Sequence, residues 1–211
     1  MSERDDARQG EPDGIDGTFP QRRPRRQVWF RAHEKRPGTA DGGCWYYAAV
    51  PPPPKRGGRF DLASPRGTCY LADTALAVAR ERLGRPGRVV DYGEVSDAVV
   101  SEVRFKPGRV ADLLHDDAAL FGATRELSTS SPYLLSQQWA QALDSVGFEG
   151  IRYQPRFSSG PAEAIAAFGN SGVPVPLTGV ATSRAMVAVL EANGYDVVRS
   201  PSTASLGPLV S

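Results

Sequence analysis

The sequence is sparing with the residue types that most often act as nucleophiles, imidazole bases or soft metal ligands. It holds two cysteines, Cys44 and Cys69, and two histidines, His33 and His115. There is no CxxC and no ligand-spaced partner for either histidine, so neither a disulfide framework nor a structural zinc site is indicated, and no metal is expected. Cys69 lies in the strand-like run Gly67-Thr-Cys-Tyr-Leu-Ala72, where a free cysteine reads as a small buried hydrophobe. The histidines read as surface residues, not as acid–base catalysts. Among the carboxylates, Glu81 carries two readings. It precedes Arg85 by four residues, the spacing of an exposed helical ion pair worth about 0.3–0.5 kcal/mol. Ala77 and Val78 nevertheless sit one turn earlier on the same side, so its face is apolar, as the wall of a cleft would be.

Charge narrows the partners. Lys and Arg total 25 against 24 Asp and Glu, and a formal net charge of +1 supplies no global field toward nucleic acid or a membrane. The one basic run, Gln21-Arg-Arg-Pro-Arg-Arg-Gln27, reads as solvated, and a nucleic-acid role resting on Arg22 to Arg26 alone is the weaker alternative. No apolar run approaches the ~18–20 residues of a membrane span, and the N-terminus lacks the apolar core of an export signal, so a cytoplasmic location is expected.

These residues need elements to hold them. Residues 1–26 are nearly devoid of apolar side chains and read as a disordered tail. Val28-Trp-Phe-Arg31 and Trp45-Tyr-Tyr-Ala-Ala-Val50 read as strands, the second stopped by Pro51 to Pro54. Thr68 to Ala72 predicts a strand, Asp73-Thr74 a helix cap, and Gly84 the end of a helix reaching Leu83. Val89 to Tyr92 and Val99 to Phe105 are β-type, and Arg109 to Leu114 reads as a short helix or turn. Leu134, Leu135, Trp139, Ala142, Leu143 and Val146 recur at helical spacing between Tyr133 and Gly147, with Trp139 on the core stripe. Gly150 to Tyr153 is a strand, and Ala162 to Phe168 is left open between helix and strand. A last helix, about Ser183 to Ala192, and a strand, Tyr195 to Val198, form a C-terminal extension over 179–211.

From Val28 to about Phe168 the order of motifs resembles the RES domain, the toxin half of many bacterial toxin–antitoxin pairs. The resemblance rests on Trp29-Phe30-Arg31, on Gly58-Arg59-Phe60, and on Tyr70-Leu-Ala-Asp-Thr-Ala-Leu-Ala-Val-Ala-Arg-Glu81. It continues through Gln138-Trp-Ala-Gln-Ala-Leu143, Gly147-Phe-Glu-Gly-Ile-Arg-Tyr153 and Ala166-Ala-Phe168. Where the family places serine, two residues after the last Tyr and before an Arg, this sequence has Pro155 followed by Arg156, with Ser158 and Ser159 just beyond.

The resemblance implies an α+β fold with an ADP-ribosyltransferase-like core of two β-sheets and flanking helices, a RES-like domain over 27–178. It also implies NAD as substrate, cleaved at the nicotinamide–ribose bond by hydrolysis, phosphorolysis or ADP-ribosyl transfer, with inorganic phosphate as a possible co-substrate. On that reading Glu81 stabilises the developing oxocarbenium charge and Arg31 grips phosphate or ribose as the second catalytic group. Arg59 takes a second phosphate position, Tyr70 meets the nicotinamide end, and Ser158 supplies a hydroxyl in place of Pro155. An Xre-like antitoxin is the partner implied. The alternative is a RES-fold binding module, catalytically weakened by Pro155.

Overall fold

The computed structural model describes residues 9–24, 28–35, 43–53, 55, 57–129, 131–173 and 180–199. Its strands are β1 (Gln21–Arg22), β2 (Val28–Glu34), β3 (Arg66–Ala72), β4 (Val89–Asp91), β5 (Ala98–Arg104), β6 (Val110–Asp112), β7 (Gly150–Tyr153), β8 (Ala164–Asn170), β9 (Val180–Ala185) and β10 (Asp196–Val198). The helices are α1 (Ala75–Leu83), α2 (Tyr92–Val95), α3 (Glu126–Thr129), α4 (Leu134–Ser145) and α5 (Met186–Glu191), with a 3-10 helix at Asp116–Phe121.

The fold is α+β. Eight strands form one sheet in the order β1-β6-β7-β8-β3-β2-β5-β9, and β10 pairs with β4 in a separate two-stranded ribbon. Within the large sheet only β6 and β7 run parallel. Helices α1 and α5 pack against each other and against β5, while α4 packs on β7. The larger apolar cluster lies on this helical face and includes Phe60, Ala72, Val78, Val100, Trp139, Ile151 and Met186. Alternate residues of the same strands face the other way. There Trp29, Cys69, Leu71 and Ile165 are covered by Cys44, Trp45 and Tyr47.

Several expectations meet a different arrangement. Within the span read as a tail, the segment 9–24 is docked against the domain. Phe19 is 1% exposed, with its ring 5.0 Å from Phe121, 6.4 Å from Trp139 and 6.1 Å from Phe148. Gln9 donates to Gly122 O (2.8 Å) and accepts from Thr124 N (2.8 Å), and β1 adds to the sheet edge through β6. A single aromatic in a polar stretch is enough, because the aromatic slot it fills is built by elements far along the chain. The remainder of the expected tail, 1–8 and 25–26, lies outside the described residues. Residues 110–112 form β6 instead of a helical turn, because both edges find partners, β1 and β7. Tyr47, Ala48 and Ala49 make only isolated bridges.

Ala164–Asn170 is a strand despite its alanines. It lies between β7 and β3 with both faces covered, a place where small side chains fit and packing overrides helical propensity. Nor is the C-terminal part an appendage: β9 extends the main sheet through β5, and α5 starts at Met186, buried against α1 and β5. His33 is buried, with Nε2 2.8 Å from Ser101 Oγ, whereas His115 is exposed and its Nδ1 accepts from Asp117 N.

Phe19→Ala tests the docking of the N-terminal segment. A filled aromatic slot predicts a loss of about 3–5 kcal/mol in urea unfolding. A loss below ~0.5 kcal/mol would mean the segment is not held there.

Candidate active site

A cleft of about 760 Å³ opens on the helical face, over β2, β3 and β8. Its polar and aromatic lining includes Arg59, Tyr70, Glu81, Tyr133, Tyr153 and Arg156, with Arg82 and Arg85 beside them. Glu81 comes from the last full turn of α1. That helix is set at one end by Thr74, whose side chain accepts from Ala77 N (3.1 Å), and at the other by Gly84 at φ 64°, whose N–H donates to Arg80 O. Ala77, Val78 and Ala79 are buried, which commits the Glu81 side of the helix to the cleft wall.

The carboxylate is partly buried, and its Oε1 accepts from the Phe157 backbone N–H at 2.7 Å. Burial raises its pKa above the ordinary glutamate value, while that N–H and the Arg59 and Arg156 guanidiniums pull it back down. Arg59 is 8% exposed. Its guanidinium lies 4.6 Å from the Tyr133 ring centroid, and Nη1 donates to Leu127 O at 3.5 Å. Burial lowers its pKa, opposed by Tyr133 and Tyr153. Tyr153, at the end of β7, packs edge-on against Phe60 at 5.0 Å, and burial followed by the Glu81 charge pushes its phenol up.

Tyr70 lines the cleft with its ring, but its hydroxyl is already engaged: it accepts from Phe60 N and donates to Asp61 Oδ1, each at 2.8 Å. Burial, then the Asp61 charge, raises its pKa strongly. The side chain therefore offers the cleft an aromatic surface more than a hydroxyl.

The structure brings Arg59, Tyr70 and Glu81 together. It does not bring Arg31 to them. In β2, Ala32 lines the cleft, so alternation sends Arg31 to the opposite face, where its guanidinium contacts Cys69 Sγ and donates to Tyr46 O at 2.9 Å. Ser158 follows the cleft-lining Arg156 and Phe157 but does not line the cleft itself. It is 8% exposed and its hydroxyl makes no hydrogen bond among the described residues. Pro155 is buried. Tyr133, Tyr153 and Arg156 line the cleft without having been singled out as site residues in the sequence, and Asp61 lies just behind it. Tyr133 precedes a helix and had only a boundary role in the sequence, and Asp61 follows the Gly58-Arg59-Phe60 step without a signal of its own.

A buried guanidinium, aromatic side chains and a carboxylate thus line a single cleft of an α+β domain. The chain belongs to the RES domain family, whose model matches residues 28–185. Among solved structures it is similar to a chain of the M. tuberculosis MbcT–MbcA toxin–antitoxin complex, with a TM-score of 0.54 and 13% sequence identity over 79% of this chain and 87% of that one. No curated protein matches the sequence significantly. Among the described residues no helix is long and apolar enough to cross a membrane, and no cluster of His, Cys, Asp and Glu is placed to hold a metal.

The Glu81 environment sets a pH prediction. Its folded pKa is raised, so the native state holds the proton more tightly than the unfolded chain. Its contribution to stability is then full at low pH and lost as pH rises through the raised value. Glu81→Gln should therefore raise Tm at pH 7, with the gain shrinking as the pH falls toward the ordinary glutamate range. Calorimetry showing Glu81→Gln destabilised across the whole range would contradict this.

Proposed function

We propose that this protein is a NAD-consuming RES-type toxin of the cytoplasm that breaks the bond between nicotinamide and ribose. The observation that carries the reading is Glu81, a partly buried carboxylate facing the Arg59 and Arg156 guanidiniums within one cleft. NAD combines a pyrophosphate, ribose rings and a cationic nicotinamide, and the cleft offers a counterpart to each. Arg59 and Arg156 serve the pyrophosphate, with Tyr133 and Tyr70 as ring surfaces and Glu81 beside the anomeric carbon.

When the glycosidic bond breaks, its electron pair leaves with nicotinamide, which departs neutral. The ribose carbon becomes oxocarbenium-like, and Glu81 stabilises that charge. An acceptor oxygen then attacks the carbon and sheds its proton to solvent. Water, inorganic phosphate or a protein side chain could be that acceptor. An ADP-ribosyltransferase-like core agrees with an α+β sheet bearing its cleft on one face. Arg31 has no part in this reading, because it faces away from the cleft. Ser158 enters only if the loop after β7 turns its hydroxyl inward.

The similarity to the MbcT toxin, whose structure was solved with its antitoxin, supports a toxin role here and a protein antitoxin, Xre-like by the family resemblance, as the partner. The second reading, a RES-fold binding module without turnover, is favoured by Pro155 and by the absence of the Ser158 hydroxyl from the cleft lining.

Purified protein incubated with NAD, with and without phosphate, separates the two. Turnover should fall on the order of a hundred-fold or more in Glu81→Ala and comparably in Arg59→Ala, with both variants folded. An untouched NAD pool under both conditions would remove the hydrolase and phosphorylase readings. Turnover that survives Glu81→Ala would move the chemistry elsewhere.

A further inference from the structure

The loop that carries Arg59 is held from every side, and one buried acid organises it. Gly58 N–H donates to Asp61 Oδ2 at 2.6 Å, and the Tyr70 hydroxyl donates to Asp61 Oδ1 at 2.8 Å. The Phe60 N–H donates back to that hydroxyl at 2.8 Å. The carbonyls flanking Arg59 are taken as well, Gly58 O by Gln137 Nε2 (2.8 Å) and Phe60 O by Thr68 Oγ1 (2.7 Å). All four backbone polar groups on either side of Arg59 thus have fixed partners. The approach is so close that a Cβ at Gly58 would lie 2.7 Å from the Tyr70 hydroxyl and 2.8 Å from Asp61 Oδ1.

We infer that Asp61 is a positioning residue, whose carboxylate acts through Gly58 and Tyr70 to aim Arg59 at the pyrophosphate of the substrate. Asp61 is 3% exposed and does not line the cleft, so it does not touch the ligand. Both of its oxygens accept, one from an N–H that cannot reverse its role, and that demand is met in full only by the ionised carboxylate. Asparagine can satisfy Gly58 N–H with its oxygen, but then presents an NH₂ to Tyr70, which loses its acceptor. Alanine satisfies neither. The loop fixes the backbone from which the Arg59 side chain reaches the cleft, where it lies over the Tyr133 ring and donates to Leu127 O. A guanidinium that must meet a bidentate anion gains its selectivity from such preorganisation. The inference rests on the proposed function only in naming the anion as the pyrophosphate of NAD.

The test is a double-mutant cycle between residues 61 and 59, read by calorimetric titration with inorganic pyrophosphate and by KM and kcat for NAD. In the wild-type background Asp61→Ala should weaken pyrophosphate binding on the order of ten-fold to a hundred-fold and raise KM in parallel, with Asp61→Asn intermediate. In an Arg59→Ala background the same changes should cost no more than about two-fold, since the residue through which they act is gone. A general structural role would lower affinity alike in both backgrounds, and that result overturns the inference. So does a wild-type protein that fails to bind pyrophosphate. Should Asp61→Ala not fold, the Asp61→Asn cycle decides alone. Pyrophosphate binding with the predicted coupling but no NAD turnover would remove the NAD reading and leave the positioning role standing.

Discussion

Strand β3 is paired along its whole length with β8, from Arg66↔Asn170 to Ala72↔Ala164, and meets β2 at Phe30↔Ala72 on its other edge. With both edges occupied its side chains have only two directions, and the period of two divides them. Tyr70 and Ala72 go to the cleft, and Cys69 goes to the opposite cluster with Trp29 and Trp45. A slip of one residue would carry Cys69 into the cleft and bury Tyr70 among the tryptophans, so the register of this one strand separates the cleft face from the packing face. Everything else in the site is measured from it. The Arg59 loop hangs on the Tyr70 hydroxyl, α1 follows β3 after Asp73 and Thr74, and Glu81 rides on α1.

The cleft is also where the fold tolerates cost. Asp61 and Glu81 both have pKa values raised by burial, and Arg59 is desolvated in the opposite sense. Each charge is retained because specific donors or acceptors meet it: Gly58 N–H and Tyr70 for Asp61, Phe157 N–H for Glu81, the Leu127 carbonyl and Tyr133 ring for Arg59. Charged groups held ready in a partly dry cavity interact more strongly with a ligand than the same groups in water. A domain built only for stability would have apolar residues at these positions.

The parts legible in the sequence were those governed by local rules. The cap and stop of α1 followed from Asp73-Thr74 and Gly84, with Thr74 the residue that caps, the apolar stripe marked α4 and buried Trp139, and the apolar neighbours of Glu81 indicated a wall. Family resemblance then brought Arg59, Tyr70 and Glu81 forward, and the fold unites them. What escaped depended on contacts between distant segments. Phe19 is a lone aromatic in polar surroundings until Phe121, Trp139 and Phe148 close around it. Arg31 follows an aromatic pair in the motif order, yet only the phase of β2 decides its face. Asp61 carries no pattern at all, because its meaning lies in a hydroxyl nine residues away and a backbone N–H three residues back.

The central claim is that one cleft gathers the anion-binding arginine and the carboxylate around a single ligand. A crystal structure of the protein soaked with ADP-ribose tests it most directly. The account predicts the pyrophosphate against the Arg59 guanidinium and the ribose anomeric carbon beside Glu81, with Asp61 still bound to Gly58 and Tyr70. ADP-ribose bound away from the cleft, or in it with Arg59 left on Leu127 and the ribose remote from Glu81, would contradict the account.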